Sequence, residues 1–141
     1  MNKLRIVDFT EYPGLRHCKI SEASGEEYYH TILNEEFAKT VKDNAILQVD
    51  LDNTDGYASS FLDEAFGNLV YDFTLDIVKK HIQIISNLEP HWKKMLEEKT
   101  FIEWEKRRKK EDAPTITEDH APWFRLVNGK LVKDNWVAKS N

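Results

Sequence analysis

The sequence is poor in the residues that build disulfide frameworks, phosphate loops and membrane spans. It has one cysteine, Cys18, and five glycines, so an internal disulfide framework is excluded and no glycine-rich phosphate loop is present. No apolar run exceeds three residues, as in Ala45–Leu47, whereas a membrane-spanning helix needs about 20. These absences, and a first ten residues without a signal-peptide core, predict a protein of the reducing cytoplasm with no membrane span.

What remains is the composition of one folded domain with an acidic balance. The 141 residues are 40% hydrophobic and 32% charged, and the net charge is −5. Compact domains are commonly about 100–150 residues long, and this hydrophobic content suffices for a core, so disorder throughout is excluded. The negative net charge argues against general nucleic-acid binding, although it is compatible with a local basic patch.

Hydrophobic periodicity predicts alternating strands and helices. Ser24 and Glu27 have the spacing of a capping box, which predicts a helix start at Ser24. Pro13-Gly14 is a turn signal, so the first two strands are expected to form a hairpin. The predicted strands lie near Leu4–Phe9, Leu15–Ile20, Ala45–Leu51 and Ile82–Ile85, and the predicted helices begin at Ser24, near Ser60 (running to Val78) and around Pro90.

This alternation predicts an α/β fold in which helices pack on a mixed β-sheet. We expect a core domain over residues 1–110, a polar connector over 111–122, and a C-terminal β-hairpin with its tail over 123–141. Asn128-Gly129 is the preferred pair for a two-residue type I′ turn, because both positions need a positive φ. An isolated hairpin is only marginally stable in water, so its aromatic side chains should dock on the domain or on a partner: Trp123, Phe124 and Trp136.

Two carboxylates, Asp50 and Asp52, follow the predicted strand Ala45–Leu51. The segment AILQVDLDNT, residues 45–54, resembles the nucleophile motif of haloacid-dehalogenase-type phosphatases. That resemblance implies a first Asp that attacks phosphorus and helps to hold Mg²⁺, and a second that acts as acid and base. The same chemistry needs a lysine and a later acidic pair at another strand end, and no predicted buried strand after residue 86 ends in acids. A Mg²⁺-dependent phosphatase is the alternative function.

Histidines are spread along the chain without the spacing of a metal site. The five are His17, His30, His81, His91 and His120. Only His17 adjoins Cys18, and adjacent residues do not easily share one ion. Nothing in the sequence activates Cys18 as a nucleophile. The sequence therefore predicts no cofactor and no metal.

A basic run, Lys106–Lys110, is the candidate contact for nucleic acid or an acidic partner. It is flanked by Glu105, Glu111 and Asp112, which offset its charge. Cations are also favoured at the C-terminal end of a helix, where they complement the helix dipole. A solvated helix end is the preferred explanation, and nucleic acid is not expected as a partner.

One stretch has a more specific pattern. Residues 49–71, VDLDNTDGYASSFLDEAFGNLVY, comprise a strand ending in Asp, an acidic loop with Gly56, and Ser59-Ser60-Phe61 leading into Glu64–Gly67. With Ser24–Glu27 upstream, this pattern resembles the STAS-like domain family of unknown function, bacterial proteins related to anti-sigma factor antagonists. The resemblance covers roughly residues 3–105. It implies an α/β fold and a non-catalytic, regulatory role.

The resemblance also implies where such a protein binds its partner. In anti-sigma factor antagonists the corresponding loop carries Asp-Ser-Ser-Gly-Leu, and a partner kinase phosphorylates one of the serines. Here the segment is Ala58–Leu62, in which both serines are kept while Ala58 and Phe61 replace the Asp and the Gly. A kinase-like ATPase is the implied partner, and a second copy of the chain is another candidate. The predicted binding or phosphorylation residues are Asp52, Asp55, Ser59, Ser60 and Phe61.

Two explanations account for Ser59 and Ser60. Ser60, with Asp63 three residues later, resembles a capping box, and an N-cap serine needs no further role. Alternatively, a phosphate on Ser59 or Ser60 would be held by free N–H groups of the helix start and would add a charge of about −2 to the surface. The sequence leaves both explanations open. It predicts a regulatory module for protein–protein interaction.

Overall fold

A three-stranded parallel sheet is the centre of the fold. The computed structural model describes residues 2–137. Strands β1 (Asn2–Arg5), β2 (Leu47–Asp50) and β3 (Ile82–Ile85) lie in the order β1-β2-β3, and both pairings are parallel. The α/β fold class is confirmed. The sheet is parallel throughout, whereas the sequence predicts a mixed one.

The difference arises near the N-terminus, where the predicted hairpin does not form. After β1 the chain turns into a short helix, α1 (Ile6–Phe9), and the predicted second strand, Leu15–Ile20, has no strand structure. The carbonyl of Leu15 instead accepts a hydrogen bond from the N–H of Gly25 at 2.9 Å. Leu15 and Ile20 are both exposed, so no buried apolar face favours an extended strand here.

A helical segment leads from this loop to β2 and starts where the sequence predicts. Helix α2 (Gly25–Tyr28) has Ser24 as its N-cap, and Ser24 Oγ accepts a hydrogen bond from the N–H of Glu27 at 3.1 Å. The segment continues through a π-helical turn (Tyr29–Leu33) into α3 (Asn34–Lys42). Two consecutive aromatic residues at the entrance to this turn are fully buried, Tyr28 and Tyr29.

The crossover from β2 to β3 contains the longest helix, α4 (Ser59–Phe73). Its predicted apolar stripe is confirmed, because every member is fully buried: Phe61, Leu62, Ala65, Phe66, Leu69, Val70 and Phe73. The helix ends before the predicted Val78, because Thr74 has a φ of 77°, outside the helical region. Thr74 Oγ1 accepts a hydrogen bond from the N–H of Ile77 and caps a separate helix, α5 (Leu75–His81).

A third helical segment packs against α4. Helix α6 (His91–Met95) begins directly after the proline that the sequence places at its start, continues through a second π-helical turn (Leu96–Thr100) and ends in α7 (Phe101–Lys109). Gly67 of α4 faces the Trp104 ring, and a Cβ at Gly67 would stand 2.1 Å from Trp104 Cε2. The absence of a side chain at Gly67 therefore allows the close approach of α4 and α7.

The predicted C-terminal hairpin is confirmed. Strands β4 (Trp123–Val127) and β5 (Lys130–Asp134) pair antiparallel. Asn128 and Gly129 between them have φ angles of 51° and 78°, as a type I′ turn requires. Residues 138–141 of the predicted tail lie outside the described residues.

The hairpin docks on the helices. The Asn34 amide pairs with the backbone of Phe124: its Oδ1 accepts from the Phe124 N–H at 2.8 Å, and its Nδ2 donates to the Phe124 carbonyl at 2.9 Å. Arg125 Nε donates to the buried Asp72 at 2.7 Å. The aromatic residues that the sequence predicts to dock are all buried or packed against the core: Trp123, Phe124 and Trp136. The division of the chain at residues 110 and 122 stays a prediction.

The hydrophobic core lies between the sheet and the helices. The central strand β2 contributes Leu47 and Val49, both fully buried. The largest fully buried side chains are aromatic and come from the two helical segments that flank β2: Tyr28, Tyr29, Phe37, Phe61, Phe66 and Phe73. Within residues 2–137, no helix combines the length and the apolar character needed to cross a bilayer.

Candidate functional site

The residues of the predicted binding surface lie between the end of β2 and the first turn of α4. Asp55 and Ser59 are exposed, and Asp52 and Ser60 are half-buried. Phe61 is fully buried in the core, so it supports this surface from beneath and cannot touch a partner in the folded protein. We call the four accessible residues, Asp52, Asp55, Ser59 and Ser60, the α4-start surface.

The first turn of α4 has no side-chain cap. The helix begins at Ser59, so Ala58 is the N-cap, and it offers no side-chain hydrogen bond. The predicted N-cap role of Ser60 is therefore wrong. Asp63, the other half of the predicted capping box, accepts a hydrogen bond from Arg16 Nη1 at 2.7 Å instead. The two serines thus lie at a helix start whose positive dipole end is not neutralised by a capping side chain.

The two carboxylates of the phosphatase alternative take part in local structure. Asp50 Oδ1 accepts from the N–H of Asp52 at 2.8 Å, and Asp50 Oδ2 lies 3.9 Å from Lys3 Nζ. Asp52 accepts from the N–H groups of Asn87 and Leu88 at 3.1 and 3.0 Å. Among residues 2–137, no third histidine, cysteine or acid completes a metal-binding group with them. Asp52 ties the loop after β2 to the loop after β3.

The basic run Lys106–Lys110 forms the C-terminal end of α7. This position agrees with the preferred explanation of the run as the solvated end of a helix. Arg107 Nε donates to the carbonyl of Asp112 at 2.8 Å, and Arg108 forms an ion pair with Glu105. Both arginines therefore have partners within the protein. The three lysines of the run are exposed.

A second cluster surrounds Glu26, and the sequence does not predict it. We call His17, Cys18, Glu26, Thr117 and His120 the Glu26 cluster. Glu26 is fully buried. Its Oε1 accepts from Thr117 Oγ1 at 2.6 Å, from the Cys18 N–H at 3.3 Å and from His17 Nδ1 at 3.1 Å. Its Oε2 accepts from the Thr117 N–H at 3.1 Å and from His120 Nε2 at 2.6 Å. One carboxylate therefore joins the loop before α2, the start of α2 and residues 111–122.

Local structure explains why Cys18 and Glu26 meet. The N-cap at Ser24 places Glu26 in the first turn of α2. The N–H of Glu26 donates to the carbonyl of Arg16 at 3.0 Å, which holds the preceding loop against the helix start. Ser24 Oγ also donates to Cys18 Sγ at 3.3 Å. The segment that the sequence predicts as a strand is thus the loop that carries the thiol to Glu26.

Glu26 and Cys18 respond to burial in different ways. Burial alone would raise the pKa of Glu26, but hydrogen bonds from Thr117 and His120 outweigh it and lower the pKa to about 2. Burial raises the pKa of the Cys18 thiol to about 11, and the negative charge of Glu26 acts in the same direction. At neutral pH the cluster holds a carboxylate beside a protonated thiol.

His30 packs against the Glu26 cluster in an apolar environment. Its ring stacks on the His120 ring, with centroids 4.0 Å apart and planes inclined by 9°, and the edge of Trp123 covers it. Both ring nitrogens of His30 are buried without a hydrogen-bond partner among the described residues. Burial, with the nearby charge of His120, lowers the pKa of His30 to about 3, so the ring is neutral at pH 7. Cys18, His30 and His120 line a cleft of about 460 Å³.

Sequence spacing contains almost no signal for this cluster. Thr117 is separated from Glu26 by 91 positions and His120 by 94. The capping pattern at Ser24 predicts that Glu26 lies in a first helical turn, where an acidic residue is ordinary. Only the docking of residues 111–122 on α2 distinguishes this glutamate from the other acids of the chain.

The comparison with known families agrees with the resemblance seen in the sequence. Residues 31–92 match the STAS-like domain of unknown function (DUF4325). This segment contains β2, α4, β3 and the α4-start surface, and it is shorter than the roughly 3–105 that the resemblance suggests. No curated protein and no solved structure matches the chain. Over residues 31–92, which are less than half of the chain, the protein is similar to the STAS-like domain family of unknown function.

Proposed function

We propose that this protein is a non-catalytic regulatory module of the cytoplasm that binds another protein through the α4-start surface. The observation that carries the proposal is the exposed Ser59 in the first turn of a 15-residue helix without a side-chain cap. Asp52 and Asp55 lie in the loop that leads to it. The surface thus combines a modifiable hydroxyl, a helix dipole and acidic neighbours in one stretch of chain.

Phosphorylation of Ser59 or Ser60 would change this surface strongly. A phosphate adds a charge of about −2, and the unpaired N–H groups of a helix start stabilise an anion. The helix would therefore tolerate the modification. The added charge would repel acidic groups of a docked partner, so modification would release that partner. The family resemblance supports a kinase-like ATPase as the enzyme that modifies and binds this surface.

Mass spectrometry of the protein purified from its host tests the modification. We expect a phosphate on Ser59 or Ser60. Binding is tested with a photo-crosslinking residue at the exposed position 55, and we expect Ser59→Asp in this background to weaken capture of the crosslinked partner at least about tenfold, which corresponds to about 1.4 kcal/mol.

The matched control is Thr115→Asp, which adds the same charge at an exposed hydroxyl residue of the connector and should leave capture unchanged. The proposal would be ruled out by two results together: the protein from its host carries no phosphate, and Ser59→Asp, Ser60→Asp and Thr115→Asp capture the partner equally well.

The phosphatase alternative has a direct assay. Asp52, which would act as acid and base, is committed to two backbone N–H groups, so we expect no turnover of p-nitrophenyl phosphate with Mg²⁺. The control is Asp50→Asn, which should show the same absence of p-nitrophenyl phosphate turnover as the protein with its native sequence. Turnover that Asp50→Asn abolishes would replace the regulatory proposal by an enzymatic one.

A further inference from the structure

The Glu26 cluster places three different metal-ligating groups together. Cys18 Sγ, a carboxylate oxygen of Glu26 and a ring nitrogen of His120 all lie within 4.8 Å of one another. No other group of three such side chains occurs among residues 2–137. All three residues lie outside the segment 31–92 that matches the family, so the family match does not assign them any role.

The donor set indicates which ion would fit. Ca²⁺ and Mg²⁺ prefer sites built from oxygen ligands, and this group offers one carboxylate only. A thiolate, an imidazole and a carboxylate together are typical of Zn²⁺, which binds sulfur, nitrogen and oxygen ligands in tetrahedral geometry. Three protein ligands leave one position for water, and the cleft lined by Cys18 and His120 gives water a route to it.

The surrounding charges favour a cation. Glu27 and Glu118 line the same cleft as Cys18 and His120. Their negative charges, with that of Glu26, would attract a divalent cation. A cysteine that binds a metal releases its thiol proton.

We propose that Cys18, Glu26 and His120 form a zinc site that links the start of α2 to residues 111–122. On binding, the ion replaces the hydrogen shared by His120 Nε2 and Glu26 Oε2, and that proton leaves to solvent. These two atoms are 2.6 Å apart, so they must separate to the roughly 3.3 Å that two ligands of a tetrahedral Zn²⁺ span. Thr117 and the N–H of Cys18 hold the carboxylate through Oε1, and such outer contacts orient metal ligands.

His30 supports the site by its position. Its ring stacks on His120 and restricts the plane of that ligand. Both of its buried nitrogens are unpartnered within the described chain, which is an unfavourable arrangement for a polar ring. His30 also lines the same cleft as Cys18 and His120.

Cobalt titration of the reduced, full-length protein tests the proposal with a specific signal. Cys18 is the only cysteine in the sequence, so any thiolate-to-cobalt charge-transfer band must arise from it. We expect one equivalent of Co²⁺ to produce this band and one equivalent of Zn²⁺ to remove it. We also expect Zn²⁺ to raise the melting temperature, because an ion that binds only the folded state stabilises it.

Two variants and a control make the test decisive. Cys18→Ser should abolish the band, and His120→Gln should weaken Co²⁺ and Zn²⁺ binding at least about tenfold, with circular dichroism showing that both are folded. His91→Gln removes an exposed histidine and should leave binding unchanged. The absence of a charge-transfer band, or a band of unchanged affinity in His120→Gln, would overturn the proposal. If Cys18→Ser fails to fold, the His120→Gln titration and the zinc-dependent melting temperature still decide.

Discussion

Two acidic sites of this protein, Asp50 with Asp52 and the Glu26 cluster, differ in what surrounds their carboxylates. Asp50 and Asp52 are close in sequence, lie at a strand end and accept hydrogen bonds mainly from nearby backbone N–H groups. Glu26 is fully buried and has five donors, and three of them come from Thr117 and His120, far away in the chain. The first site is visible in the sequence and has a structural role, whereas the second is assembled only by the fold.

Their energetic consequences should differ as well. A half-buried carboxylate that accepts hydrogen bonds from a loop contributes little to the free energy of unfolding, because water competes for the same hydrogen bonds. A fully buried carboxylate must be completely satisfied, and removing its charge leaves its donors without an equivalent acceptor.

The largest effect is expected for Glu26→Gln. The substitution removes the charge that five hydrogen bonds stabilise, and its amide group adds a donor that faces donors. We expect the free energy of unfolding to fall by about 3 kcal/mol in urea denaturation without added metal. Glu22→Gln, at an exposed site, should change it by less than about 0.5 kcal/mol. Equal losses of unfolding free energy in Glu26→Gln and Glu22→Gln would show that the buried carboxylate contributes no more to stability than an exposed one.

Lowering the pH should reduce the free energy of unfolding more in the native protein than in the Glu26→Gln variant. The pKa of Glu26 is about 2 in the folded state, below its ordinary value of 4.5, so its stabilisation is present above pH 4.5 and is lost as the pH falls towards 2. The full difference corresponds to about 3 kcal/mol. The stability difference between the native protein and Glu26→Gln should shrink over this range, as measured by urea denaturation at each pH.

A second carboxylate, Asp72, also affects stability in a pH-dependent way, so the native protein must be compared with Glu26→Gln at each pH. Burial raises the pKa of Asp72 to about 6, although Arg125 opposes the shift. Protonation of Asp72 therefore favours the folded state, and its effect on stability increases as the pH falls through 6. This contribution is the same in both proteins and cancels in the difference. A difference that stays constant from pH 6 to pH 2 would contradict the assignment to Glu26.

A smaller effect is expected for Asp52→Ala. The substitution leaves the N–H groups of Asn87 and Leu88 without their acceptor, but both residues are exposed and water can replace it. We expect a loss of about 1 kcal/mol in thermal or urea unfolding. Asp55→Ala, in the same loop, should be close to neutral. A loss of 3 kcal/mol or more in Asp52→Ala would make the two acidic sites equivalent.

The smallest effect is expected for Ser59→Asp. A negative charge in the first turn of α4 complements the helix dipole, so we expect the free energy of unfolding to rise by about 0.5 kcal/mol at low salt. The gain should decrease at high ionic strength, because the site is exposed and salt screens it. A loss of stability at low salt would show that the helix start does not accept an anion.

Local patterns of the sequence predict much of the fold correctly. Ser24 caps its helix, the apolar stripe of α4 is buried in full, and Asn128-Gly129 forms the expected turn. Each of these features depends on residues within a few positions of one another. The STAS-like resemblance, which depends on the continuous stretch 49–71, is likewise confirmed by the family match over residues 31–92.

Features that depend on tertiary contacts could not be predicted in the same way. Leu15–Ile20 has the composition of a strand, but its backbone bonds to the start of α2. Phe61 lies among the predicted binding residues, yet its side chain faces the core. The Glu26 cluster depends on residues more than 90 positions apart. Sequence spacing therefore identified the acidic site with the structural role and missed the buried one.

The two π-helical turns, Tyr29–Leu33 and Leu96–Thr100, affect how this chain should be aligned with its relatives. Each turn holds one residue more than the regular helix would. A homologue with uninterrupted α-helices therefore needs a single-residue gap at each turn, or all pairs beyond it are offset by one position. The matched segment, 31–92, begins inside the first turn and ends before the second. Beyond both ends of that segment, these two gaps decide which residues of a relative correspond to Glu26 and His120.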